Sequence, residues 1–228
     1  MSISTQTPTP VNYISISTNG YTTSIVRNLG LRIRPLPFDW VNTNIESISQ
    51  CFKDDFKKFN KNLNVIDNDN NHVIDEYGFV FKYDYPLYTN KNILDYSQQF
   101  LDSFIQNNKI NDIVTEKYIS RINHFHEIMN STDPIICLCN YSIKDVIKLQ
   151  ELFITYYNRT PENLYIINIS LSPLYDSLYI PLNIYNVNLN TRNIYIWKYM
   201  IDLVLRHYKN TYEAHNKPQL PLTNEIIL

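Results

Sequence analysis

A chain of 228 residues, 44% hydrophobic and 18% charged, is long enough to bury a sizeable core and ordinary for one globular domain. Its net charge of −2 and pI near 6.2 supply no global field to attract nucleic acid, which leaves only local patches for that role. No N-terminal apolar run resembles a signal peptide, and no stretch of about 18 apolar residues could span a bilayer, so the expectation is a soluble cytosolic protein with no membrane role. The three cysteines, Cys51, Cys137 and Cys139, form no C-x-x-C pair, and their odd number argues against a disulfide framework.

Residues 1–12 are rich in Ser, Thr and Pro and read as a disordered lead-in. A strand, a helix over 21–29 and a second strand then lead to a turn at 35–40. Thr43 and Glu46 have the spacing of a capping box, and Ile45, Ile48, Phe52, Phe56 and Phe59 recur at helical spacing, which predicts an amphipathic helix through Phe59. Residues 60–71 read as a loop and 79–81 as a buried strand. Two helices follow, over 92–106 with Phe100, Leu101, Phe104 and Ile105 inward, and over 114–129 with Tyr118, Ile122, Phe125 and Met129 inward.

The run Pro134-Ile135-Ile136-Cys137-Leu138-Cys139-Asn140 has the unbroken apolarity of a strand covered on both faces. Ser142 and Asp145 open a helix, and 164–169 is a second buried strand. Strand, helix, strand at this spacing predicts a right-handed crossover and a parallel pair. One or two strands over 178–189 and a helix over 195–208, carrying Trp197, Met200, Ile201, Val204 and Leu205, complete the pattern. The fold class is α/β: a layered single domain over 13–214 with a short, mostly parallel sheet flanked by helices, followed by a loose tail over 215–228.

Three blocks in the first third of the chain belong together. They are Leu29-Gly30-Leu31-Arg32, Pro37-Phe38-Asp39-Trp40 and Asp54-Asp55-Phe56-Lys57-Lys58-Phe59. In order and spacing they resemble the opening of a papain-like cysteine peptidase family found in bacteria and large DNA viruses, and the resemblance covers roughly residues 13–170. In that family the first strand ends in a pattern like S-L-G-x-N-C, and at the cysteine position stands Gly20, after Asn19. The family's histidine follows an apolar strand in something like H-D-F, and at its position stands Tyr83, followed by Asp84.

The resemblance thus implies a papain-like-peptidase-related fold without its nucleophile or its base. Glycine has no side chain to attack with, and a phenol with a pKa near 10 is a poor general base at neutral pH. What it implies instead is a non-catalytic binding protein with no metal and no cofactor, whose degenerate cleft is formed by Asn19, Gly20, Asp39, Trp40, Tyr83 and Asp84. By itself Gly20 also reads as a permissive turn or N-cap residue. Amino-acid usage rich in Asn, Ile, Lys and Tyr, as an AT-rich coding sequence gives, joined to the resemblance, points to a large AT-rich DNA virus as the source, with the host cytoplasm or the virion as location.

Asp39 between two large aromatics would be costly to bury unpaired, so it needs a partner, for which Arg32, Arg34 or the backbone of the residue-20 turn are the candidates. Its reading is either a tether of the loop over the first helix or a wall of the former cleft. Other chemistry is weaker. Asp67-Asn68-Asp69-Asn70-Asn71 begins like a calcium loop, but His72 and Gly78 occupy positions that need glycine and a bidentate acid. His124 and His126, two apart on a helix, point to different faces. Cys137 and Cys139 lie within an apolar strand, where burial suppresses thiol reactivity.

Three functions of different class follow. The first is the binding of a protein partner or small ligand, for which 19 tyrosines supply contact area at low entropic cost. The second is a hydrolase that uses Ser17, Thr18 or Thr22 with a histidine from elsewhere. The third is a nucleotide or RNA-end binder that stacks a base on Trp40 and Tyr83.

Overall fold

A computed structural model describes residues 10–66, 72–85, 108–160, 162–170, 184–188 and 194–216. Its frame is a parallel sheet of β1 (Asn12–Ile16), β6 (Ile135–Cys139), β7 (Leu164–Ser170) and β8 (Ile184–Asn188), in that order. The unbroken apolar run in β6 has the expected cause, because alternate side chains serve opposite faces. Cys137 and Cys139 join Ile14, Ile16 and Ile166 in a core on one face. Ile136 and Leu138 join Tyr165 and Ile167 in a second core on the other.

That second face is covered by α1 (Tyr21–Asn28) through Ile25 and Val26, and by α5 (Ile194–Asn216) through Trp197, Ile201 and Val204. The first face receives α2 (Ile45–Lys53), α3 (Asn108–Asn130) and α4 (Ile143–Tyr157). The predicted parallel pair is present: β6 and β7 run side by side from Ile135↔Leu164 to Cys139↔Asn168, with α4 between them in the chain. Ser142 accepts from the Asp145 N–H at the start of α4, as its spacing predicted.

Of a second sheet the sequence showed only the strand expected over 79–81, and part of that sheet lies in the stretch 60–71 expected to be a loop. It orders β2 (Val41–Asn42), β5 (Val80–Phe81), β4 (His72–Ile74) and β3 (Asn64–Ile66), all antiparallel and two or three residues long. It is bound to the first sheet where the Thr43 N–H and hydroxyl both donate to the Ser17 carbonyl, at 3.0 and 2.7 Å. Thr43 therefore does not cap α2. That role falls to Asn44, whose side chain accepts from the Ser47 N–H, and Glu46 instead stands 3.5 Å from Lys148.

Helix α2 ends at Lys53 rather than continuing through Phe59, because Asp55 and Phe56 both take left-handed backbone angles, φ 57° and 60°, and unwind the chain. The apolar spacing nonetheless serves the core. Phe38 is the hub of an aromatic cluster, with the rings of Phe52, Phe56, Phe59, Phe79 and Phe125 all centred within 6.0 Å of it. The second strand expected between the helix over 21–29 and the turn at 35–40 does not form; after Gly30, at φ 69°, that stretch is irregular.

The expected helix over 92–106, the calcium-like run 67–71 and all but 184–188 of the expected strand region over 178–189 lie outside the described residues, as do the segments 1–9 and 217–228. Among the described residues, no helix is long and apolar enough to cross a membrane and no group of His, Cys, Asp and Glu could hold a metal ion.

Candidate binding site at the β1–α1 turn

Strand β1 runs into the sheet's carboxyl edge and turns over residues 17–20 into α1. Side chains from the neighbouring strands tie the turn down. The Thr18 N–H donates to Asn140 Oδ1 at 2.9 Å, just past β6, and Asn19 Oδ1 accepts from the Tyr21 N–H at 3.0 Å. Asn140 is in turn neighboured by Tyr141, whose N–H donates to Asn168 Oδ1 at 2.8 Å and whose carbonyl accepts from Asn168 Nδ2 at 3.0 Å. Gly20 is the N-cap residue of α1 and supplies no side-chain cap.

Trp40 lies against this turn. A β-carbon at Gly20 would meet Trp40 Cε3 at 2.8 Å and Cζ3 at 3.4 Å, closer than real β-carbons approach, so the indole occupies the space into which a side chain at residue 20 would grow. Trp40 takes φ 66°, a left-handed conformation costly for a bulky side chain, and its N–H reaches Thr23 Oγ1 at 3.3 Å. Tyr83 meets the indole edge-on, with centroids 5.7 Å apart and planes at 81°. Tyr83 is 60% exposed, so the pair presents an aromatic face to solvent.

Gly20, Trp40 and Tyr83, three of the six residues implied by the resemblance, are thus in one place. Asn19 is exposed beside them, at the head of α1. The two acids are turned away. Asp39, 3% exposed, accepts from Ser15 Oγ and from the Leu36 N–H, both at 2.9 Å, and pairs with Arg32 at 3.0 Å. Burial pushes its carboxyl pKa up, against the pull of the Leu36 N–H, Arg32, Ser15 and Arg121. Arg32 is therefore the partner the sequence asked for, whereas Arg34 pairs with Glu127. Asp84 engages Lys117 and the Tyr118 hydroxyl of α3.

Ser17 Oγ donates to the Asn19 carbonyl, Thr18 Oγ1 contacts Asn140 Oδ1 at 3.3 Å, and Thr22 is fully buried. The described histidines have neighbours of their own: His126 stands 3.3 Å from Asp55, His124 is 3.4 Å from the Pro35 carbonyl, His207 stacks near Tyr165 and Tyr185, and His72 lies in β4 opposite Ile66. Burial pushes the Cys51, Cys137 and Cys139 thiols well up, so each stays protonated and inert. A cavity of about 250 Å³ lies elsewhere, lined by Asn12, Tyr13, Ile33, Arg34, Glu127 and Asp133 among others, at the opposite end of β1.

A family model described as putative papain-like cysteine peptidase (DUF1796) matches residues 11–168. The chain belongs to this family. The match begins at the approach to β1 and ends within β7, so it takes in the whole second sheet, the first sheet except β8 and the end of β7, the Gly20 turn and the Trp40–Tyr83 pair. No curated protein and no solved structure matches the chain.

Proposed function

We propose that this protein is a non-catalytic member of its family, which uses the surface around Asn19, Gly20, Trp40 and Tyr83, backed by Asp39 and Asp84, to hold a protein partner or small ligand. The observation that carries this is the 2.8 Å approach of Trp40 to a β-carbon at Gly20. A cysteine nucleophile needs that space for its own Cβ and Sγ, and a base beside it. Here the space holds an indole, and the exposed ring beside it belongs to Tyr83. An exposed, edge-on Trp–Tyr pair is suited to recognition, since both rings give large contact area with few torsions to freeze.

The test is turnover of fluorogenic peptide and ester substrates by the purified chain between about pH 5 and pH 9, the range over which a His-paired thiolate works. No turnover is expected, and no labelling by an iodoacetamide-type probe in the folded state. Hydrolysis that tracks protein through purification and is lost on substituting Ser17, Thr18 or Thr22 would replace this reading with that of a hydrolase.

A further inference from the structure

Strand β1 forms an edge of the parallel sheet, with β6 on one side only. The register decides which of its backbone groups are left over. Asn12 donates its N–H to the Pro134 carbonyl and opens a ladder in which Asn12, Ile14 and Ile16 turn their N–H and C=O groups toward β6. Tyr13, Ser15 and Ser17, the residues between and beyond, turn theirs to the free edge.

Two of these three are covered. Ser17 has Thr43, which donates twice to its carbonyl. Ser15, 2% exposed, lies under the 36–39 turn, where its hydroxyl and the Leu36 N–H share the Asp39 carboxylate. Tyr13 has no such cover: its outward N–H and C=O meet no hydrogen-bond partner among the described residues. The cavity of about 250 Å³ lies against it instead. The Tyr13 side chain packs with the second core, whereas Leu36 and Ile128, also in the cavity wall, pack with the first. One space touching both therefore meets Tyr13 at the strand's backbone edge. Solvent reaches that space, since Ile33 in its wall is 71% exposed and the paired side chains of Arg34 and Glu127 are each more than half exposed.

We propose that the edge of β1 at Tyr13 docks an extended peptide of a partner protein, which adds its backbone to the sheet and lays a lysine or arginine side chain in the cavity. An unpaired strand edge accepts an extended chain through main-chain hydrogen bonds, and a pocket beside it selects a side chain. Ile33, Leu36 and Ile128 suit the apolar stem of a basic residue, and the wall's carboxylates, Glu127 and Asp133, outnumber its one cation, Arg34. Arg159, behind them, is 2% exposed and turns its guanidinium to the carbonyls of Asp133 and Ile128. The added strand is short, because the 36–39 turn closes the edge at Ser15. This site is separate from the Trp40–Tyr83 surface and is tested independently of it.

The experiment is amide NMR of the full ¹⁵N-labelled chain, titrated with a peptide that alternates Thr and Val around a central Lys. At saturation the Tyr13 amide is expected to shift and to exchange about tenfold or more slowly, while that of Ile14, already bonded to β6, changes little. N-methylation of alternate peptide residues should abolish binding in one set and spare it in the other, since only one edge of an added strand faces β1. Replacing the peptide's Lys by Glu should weaken binding about tenfold or more. Asp133→Asn should shrink that preference, with a melting curve to confirm that the variant is folded. A Tyr13 amide unmoved at about millimolar peptide, equal tolerance of both methylated sets, or a Glu peptide that binds as well as the Lys peptide would overturn the proposal. So would a Tyr13 amide already protected in the free protein: protection that grows with protein concentration assigns the edge to a second copy, and protection lost on deleting residues 1–9 assigns it to the chain itself.

Discussion

A β-carbon placed on Gly20 would lie 2.8 Å from Cε3 of Trp40. Residue 20 and residue 40 are therefore chosen jointly: the indole can lie over the head of α1 only because nothing projects from the turn beneath it. Gly20→Ala should destabilise the protein by about 1 to 3 kcal/mol, the range for overpacking a filled site. Losing an N-cap glycine adds a smaller penalty of its own. Urea denaturation of Gly20→Ala in a Trp40→Ala background isolates the clash. If the cost is as large without the indole as with it, the contact is not what excludes a side chain.

Asp39 is buried with its carboxylate shared among Ser15, the Leu36 N–H and Arg32. Asp39→Ala strands Arg32 and two donors, and should lower stability by about 2 to 4 kcal/mol. Equilibrium denaturation reads this directly. A midpoint that does not move would mean that the Pro37–Trp40 turn is held by Phe38 alone.

Asp75 is 4% exposed and accepts from the N–H groups of Asn60, Tyr77 and Phe79, each at 3.0 Å. Burial outweighs these donors and pushes its pKa up to about 6, from an ordinary value of 3.8. A carboxyl whose folded-state pKa is raised binds its proton more tightly when folded, so its contribution to stability is present at acid pH and is lost as pH rises from about 4 to 6. Melting curves across this window should show wild type gaining, on acidification, up to about 3 kcal/mol relative to Asp75→Asn. The opposite slope would mean that the three N–H donors hold the carboxylate ionised.

Tyr83 and Trp40 should respond differently to truncation, because Tyr83 is mostly exposed and Trp40 is half-buried against Gly20. Tyr83→Ala should leave stability within about 0.5 kcal/mol of wild type, as for a surface substitution. On the binding side it should cost about 1 to 3 kcal/mol for a ligand that stacks on the ring. A folded Tyr83→Ala protein with unchanged affinity would move the search to another face.

Much of the frame was legible in the chain. The apolar run from Ile135 to Cys139 and the Ser142–Asp145 cap predicted β6, α4 and the parallel pairing with β7, because continuous apolarity and capping are local signals. The need of Asp39 for a partner was equally local, since a buried acid next to Phe38 has few options, and of the candidates Arg32 met it. Apart from the apolar strand at 79–81, the second sheet was hidden because strands of two or three residues are too short to show a period. The end of α2 was hidden because its apolar spacing persists through Phe59 while the backbone has already reversed hand at Asp55 and Phe56.

The pairing of β1 with β6 joins Asn12 to Ile135 and Ile16 to Cys139. The first of the described strands is thus completed by one that leaves the ribosome roughly 120 residues later, which at about 5 to 20 residues per second is a wait of roughly 6 to 25 seconds. During that interval Ile14 and Ile16, buried in the finished protein, have no sheet to join, and the turn that carries Gly20 has no Asn140 to fasten it. A nascent chain of this design is exposed to wrong partners throughout its synthesis. Its dependence on chaperones should therefore track translation speed more closely than final stability.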